Sequence, residues 1–150
     1  MALTATPPAV PRDRVPVPGA GFPRRSPVEL LAAAWQGLVE AENAQHAGER
    51  YASAHLSALR SAAAVLAARA RPGSRRGPTS AWALLIAVAP ELSEWATFFA
   101  AGASKRAAAV SGQPNAVSDR EADDLVRDAQ RFFSIVESML CADRSMRSAG

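Results

Sequence analysis

The side chains best suited to chemistry lie together in the stretch Glu49-Arg50-Tyr51-Ala52-Ser53-Ala54-His55. Arginine offers a bidentate clamp for a phosphate whose charge grows in the transition state. Histidine moves protons near neutral pH. At a helix N-terminus, free backbone amides and partial positive charge would assist both. This combination suits phosphodiester chemistry on RNA, where the 2′-hydroxyl is the nucleophile and no metal is needed. Arg50 and His55 are therefore the candidate catalytic pair. Their five-residue spacing turns about 140° around an ideal helix, so they share a face only if Arg50 sits in a loosely wound first turn. His55 lies about 40° from Leu59, close to the apolar line of its helix. The same residues thus carry a second reading, with His55 as a half-buried, hydrogen-bonded structural histidine and Arg50 as a surface or ion-paired arginine.

Other catalytic motifs are missing from the sequence. There is no phosphate-cradling glycine loop, GxSxG elbow, CxxC or HExxH, and two histidines are too few for a His-rich metal site. No metal and no cofactor is expected. Arg69, Arg71, Arg75 and Arg76 form the densest basic patch outside the N-terminal region. They read as a solvated loop or, if RNA is bound, as the contact to its backbone through Arg71, Arg75 and Arg76. The acids Asp119, Glu121, Asp123, Asp124 and Asp128 suit the start of a helix. There they can pair with Arg127 and Arg131 along the surface rather than hold a metal.

The charge of the chain is unevenly placed. The net +3 is accounted for by Arg12, Arg14, Arg24 and Arg25 against Asp13, so residues 26–150 are neutral overall. A neutral body does not suit tight, non-specific coating of a duplex. Cys141 is the only cysteine, which excludes an internal disulfide and fits a reducing, cytoplasmic setting. The longest apolar run, Ala81 to Pro90, is about half of a membrane span. No secretory leader is apparent, and no membrane association is expected.

These residues must be positioned by helices. Alanine, the strongest helix former, makes up about a quarter of the chain, and strand formers are few. Residues 1–25 hold Pro7, Pro8, Pro11, Pro16, Pro18 and Pro23 without apolar periodicity, and read as a disordered arm that is either a plain linker or a partner-binding polyproline segment. Residues 26–141 read as an all-α, up-down bundle of about five helices, followed by a flexible tail over 142–150.

Helix 1 opens on Ser26-Pro27-Val28-Glu29, a capping box with proline at N1, and runs to about Asn43 on the apolar line Val28, Leu31, Trp35, Leu38 and Val39. Helix 2 follows Gly48 and runs to about Ala70 on Ala52, Leu56, Leu59, Ala63 and Leu66. A loop over 71–78 leads to helix 3, capped by Thr79 or Ser80 and carrying Trp82, Leu85 and Ile86. Pro90 ends or kinks it and opens helix 4, with Leu92, Trp95, Phe99, Ala103, Ala107 and Val110 inward. Ser118-Asp119-Arg120-Glu121 is a second capping box. It starts helix 5, whose inner face is Ala122, Leu125, Ala129, Phe132, Val136 and Leu140. The tryptophans and phenylalanines read mostly as core, with Phe98 the one expected at the surface or at an interface.

Three segments carry a family resemblance: Arg50-Tyr-Ala-Ser-Ala-His-Leu and its continuation to Ala70, Ala89-Pro-Glu-Leu-Ser-Glu-Trp and its continuation to Ala103, and Asp119-Arg-Glu-Ala-Asp-Asp-Leu-Val-Arg127. Together they resemble the HEPN superfamily, in particular small stand-alone HEPN proteins of actinomycetes, over about residues 28–140. Arg50 and His55 match the shortest form of the family's arginine-to-histidine signature. The resemblance implies a helical bundle and a metal-independent endoribonuclease or RNA-binding module. In it, Arg50 would hold the scissile phosphate and His55 would assist 2′-hydroxyl attack or leaving-group departure, at a site shared between two protomers. It equally implies the alternative, a non-catalytic HEPN module that binds a partner protein or nucleotide. The partners expected are RNA or a nucleotide, a second copy of the chain, and a partner protein.

Overall fold

The computed structural model describes residues 25–69 and 80–149. The proline-rich arm up to residue 24 and the arginines Arg71, Arg75 and Arg76 lie outside the described residues. The elements are α1 (Pro27–Asn43), α2 (Ala47–Arg69), α3 (Ala81–Val88), a 3-10 turn (Pro90–Leu92), α4 (Ser93–Ala101), α5 (Ala103–Val110) and α6 (Asp119–Ser148). All regular structure among the described residues is helical. The five helices read from the sequence are present, with the fourth divided at Gly102 into α4 and α5.

The helix starts follow local chemistry. Ser26 Oγ accepts from the Glu29 amide at 3.1 Å, and the Glu29 carboxylate accepts from the Ser26 amide at 3.3 Å. Ser80, rather than Thr79, caps α3 by accepting from the Ala83 amide, and Ser118 caps α6 by accepting from the Glu121 amide.

Ion pairs fix the directions. Arg50 near the start of α2 meets Asp123 near the start of α6, and Arg69 at the end of α2 meets Asp143 near the end of α6. These two helices therefore run the same way. Trp35 packs on Phe133 while Glu42 meets Gln130, so α1 runs opposite to α6. Glu91 lies beside Arg69 and Phe99 beside His55, so α4 runs opposite to α2. The long helices alternate up, down, up and down.

The core centres on α2 and on an aromatic cluster. Phe99 of α4 stands 5.1 Å from Phe132 of α6, 5.4 Å from Trp82 of α3 and 6.0 Å from Trp95, centroid to centroid. The α6 face is buried as expected: Ala122, Leu125, Ala129, Phe132, Val136 and Leu140 all point inward.

Two helices bury faces other than those expected. In α2 the expected line Ala52, Leu56, Leu59, Ala63 and Leu66 is only half-buried, while Tyr51, Ala54, His55, Ser57, Ala58, Ser61, Ala62, Ala64 and Val65 are buried. In α1 the buried residues are Ala34, Gly37, Leu38 and Ala41, and Trp35 is 55 % exposed. The cause is close helix approach. A Cβ added at Gly37 would stand 3.3 Å from Ser57 Cβ, and Ser57 Oγ donates to the Ala34 carbonyl at 2.7 Å. Only small side chains fit such a contact, so the larger ones are displaced to the seams.

Beyond Gly102 the expected inner face of helix 4 turns outward, leaving Ala103, Ala107 and Val110 exposed. The Gly102 amide bonds to the Phe99 carbonyl, a tighter turn that shifts the helical phase. Past Cys141 the chain continues α6 to Ser148, and Asp143 in this stretch pairs with Arg69. Phe98 is exposed, as read.

Phe99→Ala should lower the unfolding free energy by about 3–5 kcal/mol, and Trp35→Ala by about 1 kcal/mol or less. Urea denaturation of the two variants beside the wild type checks this contrast.

Candidate functional site

The turn between α1 and α2 is tight, and Arg50 closes it. Its Nε donates to the Ala44 carbonyl at 3.3 Å and Nη2 to the Gln45 carbonyl at 3.4 Å. Its Nη1 donates to Asp123 Oδ1 at 2.9 Å, with Asp119 Oδ1 at 3.7 Å. The side chain is 16 % exposed. A guanidinium has five donor hydrogens, and this one uses them to tie the turn to α6.

His55 lies on another side of α2. Its ring is 1 % exposed and lies among Tyr51, Trp82 and Phe99, at centroid separations of 6.3, 6.1 and 6.2 Å. Nε2 is 2.8 Å from the Phe99 carbonyl. A carbonyl can only accept, which assigns the proton to Nε2. Nδ1 is buried without a hydrogen-bond partner, as is Nε of neighbouring Arg106. Burial pushes the His55 pKa down; the Phe99 bond opposes this and the Arg106 charge adds to it. Burial likewise raises the Tyr51 hydroxyl, with Lys105 opposing and Glu121 adding. The chain thus holds His55 as the neutral imidazole.

Gly102 completes this cluster. Its φ of −85° suits any residue, but a Cβ there would stand 2.7 Å from Tyr51 Oη and 3.4 Å from His55 Cδ2. Close approach, and no special backbone conformation, demands glycine at this position. Outside the cluster, Lys105 pairs with Glu121, linking α5 to α6.

Arg50 and His55 therefore do not converge on a common cleft within one chain: one reaches Asp123 on α6 and the other Phe99 on α4. Of the acids at the start of α6, Asp123 pairs with Arg50, Glu121 with Lys105 and Asp124 with Arg127. Among the described residues, no group of three or more His, Cys, Asp or Glu side chains is arranged to hold a metal ion. Nor is any helix there long and apolar enough to cross a membrane.

An open groove lies away from both Arg50 and His55, at residues that carry no catalytic motif. It is about 900 Å³ and runs between α1 and α6, with Val28, Leu31, Trp35 and Leu38 on one wall and Phe133 and Cys141 on the other. Trp35 packs on Phe133 at 5.7 Å with its ring plane tilted by 44°. The signal was present in α1, which carries two apolar stripes: small residues at 34, 37 and 41, and large ones at 28, 31 and 35. The small stripe packs on α2, and the large one faces α6 across the groove and stays partly exposed at Val28 and Trp35.

An all-helical bundle with an Arg-x4-His stretch opening its second helix is the class defined by these features. Residues 41–137 match the SAV_6107-like HEPN family, and the chain belongs to the HEPN superfamily. Comparisons with curated proteins and with solved structures give no significant match. The family match begins near the end of α1, so the Trp35 wall of the groove lies outside it.

Two outcomes follow from the His55 cluster. A histidine whose folded pKa is depressed stabilises the fold above its unfolded pKa. Stability should therefore fall as pH drops below about 6.5, with a slope approaching about 1.4 kcal/mol per pH unit. His55→Gln should remove this slope, as read from urea melts between pH 7.5 and pH 5. Gly102→Ala should destabilise by about 1–3 kcal/mol, and adding Tyr51→Phe should recover most of that loss in a double-mutant cycle.

Proposed function

We infer that this chain is a non-catalytic HEPN module that binds a partner protein through its α1–α6 face. The observation that carries this reading is the state of His55, which is 1 % exposed and hydrogen-bonded through Nε2 to the Phe99 carbonyl. A general acid or base must come within hydrogen-bond reach of the group it serves, and this ring faces only protein. Arg50 supports the same reading, since its guanidinium is committed to Asp123 and to two backbone carbonyls. The uncovered aromatic face around Trp35 is the kind of surface that marks protein partners. The neutral charge of residues 26–150 supplies no field for a phosphate backbone.

A second reading keeps the metal-independent endoribonuclease, favoured by the Arg50-x4-His55 spacing. It requires the His55 cage to open, Arg50 to exchange Asp123 for a phosphate, and a second copy to complete the site. Arg71, Arg75 and Arg76 would then contact the RNA backbone.

RNA cleavage in EDTA separates the two readings. The binding reading expects wild type, Arg50→Ala and His55→Gln to leave labelled RNA intact alike. Cleavage by wild type that is lost in both variants, each folded by circular dichroism, would overturn it.

A further inference from the structure

Two opposite charges stand on the α6 wall of the groove. Glu137 and Arg144 are the charged residues of the lining, and both are exposed. Neither takes part in a salt bridge among the described residues. Arg144 donates to Cys141 Sγ at 3.8 Å, a weak acceptor that leaves its charge unmatched. Seven residues separate the two along α6, which is about 10.5 Å on one face of the helix. That is beyond the three- or four-residue spacing at which helical side chains pair.

The strip between the charges is made of small residues. Ser134, Ser138 and Cys141 are exposed on the groove, and Ser145 extends the line. Such a strip lets a second helix approach closely, as the small faces of α1 and α2 do inside the bundle. Beside it α1 raises larger apolar side chains, with Val28 61 % and Trp35 55 % exposed. Trp35 packs on Phe133 and the two helices run in opposite directions, so Val28 stands level with about residue 140 of α6. The α1 wall, together with Ser138, Cys141 and Arg144, lies outside the stretch that matches the family.

We propose that a second copy of this chain covers the groove, with the two α6 helices antiparallel about a two-fold axis beside Cys141. A two-fold contact is self-complementary: when one residue meets another across the axis, the reverse contact forms as well. An axis midway between positions 137 and 144 sets Glu137 of each copy against Arg144 of the other, so both unmatched charges are paired at once. The same axis brings the two Val28 side chains toward each other and lays the last turns of each α6 over Trp35 of the other copy. A foreign helix would have to present a base and an acid at this same spacing, which the chain itself already does. The inference rests on reading this face as the binding face, and it names the partner. It is a different contact from one built around Arg50, whose partner Asp123 lies about 27 Å along α6 from Cys141.

Sedimentation equilibrium of the full chain, from micromolar to millimolar concentration, provides the test. The wild type should reach a reversible dimer of twice the chain's 15.7 kDa. Glu137→Arg and Arg144→Glu are exposed changes that leave the core intact, and each alone should weaken the dimer about fivefold. An equimolar mixture of the two variants should regain the wild-type constant, because both contacts then join opposite charges again. Cys141 is exposed and is the only cysteine, so a short-arm bismaleimide can link two copies only through it, and the wild-type dimer should be captured in this way. A chain that stays monomeric, single variants that associate like wild type, a mixture as weak as its components, or a dimer that Cys141 cannot link would each overturn the proposal. A monomer that also leaves RNA intact removes the second copy as the occupant and nothing else. Cleavage that depends on Arg50 and His55 removes the binding reading itself.

Discussion

The hydrogen bond from His55 Nε2 to the Phe99 carbonyl is the constraint around which the rest of the bundle is arranged. α4 stops at Gly102, so the Phe99 carbonyl takes the Gly102 amide on one lone pair and has the other free. A hydrogen bond in that second position contributes about 0.5–1.5 kcal/mol. The imidazole of the central helix supplies the partner, and in doing so joins α2 to α4. The aromatic rings around it then seal the site. Gly102 lets the Tyr51 hydroxyl approach, and Lys105–Glu121 holds α5 across the outside. Through the Phe99 bond, His55 caps the C-terminal end of α4.

A second constraint follows from the central place of α2. A helix packed against α1, α5 and α6 must be slim, and its buried arc is correspondingly Ala, Ser and Val, with Tyr51 and His55 at one end. α1 answers with Ala34, Gly37 and Ala41. The close α1–α2 contact consumes the small stripe of α1 and turns its large stripe toward α6, where the two helices diverge. The groove is thus a consequence of the same packing that buries His55. The groove and the sealed imidazole have one origin.

Much of this was legible in the sequence. Ser26, Ser80 and Ser118 announced their helices because capping is local, decided by three or four residues. The α6 face was legible because its large apolar residues coincide with its buried ones. The faces of α1 and α2 were not, because ordinary periodicity gives alanine and serine little weight, whereas close helix contacts select them. The break at Gly102 was hidden too. The need for glycine there comes from the Tyr51 hydroxyl, fifty-one positions earlier in the chain. Arg50 and His55 each carry two readings by spacing alone, because their tertiary neighbours, Asp123 and Phe99, lie on other helices that no local pattern names.

The central claim is that His55 is a neutral, sealed structural group. The most direct measurement is a titration of its ring by heteronuclear NMR, with the urea-unfolded chain as the reference. The account predicts that the His55 resonances titrate at lower pH in the folded protein than in the unfolded chain, and show the neutral Nε2–H tautomer above that point. A His55 ring that titrates at the same pH in the folded and unfolded chain, or at higher pH when folded, would contradict it.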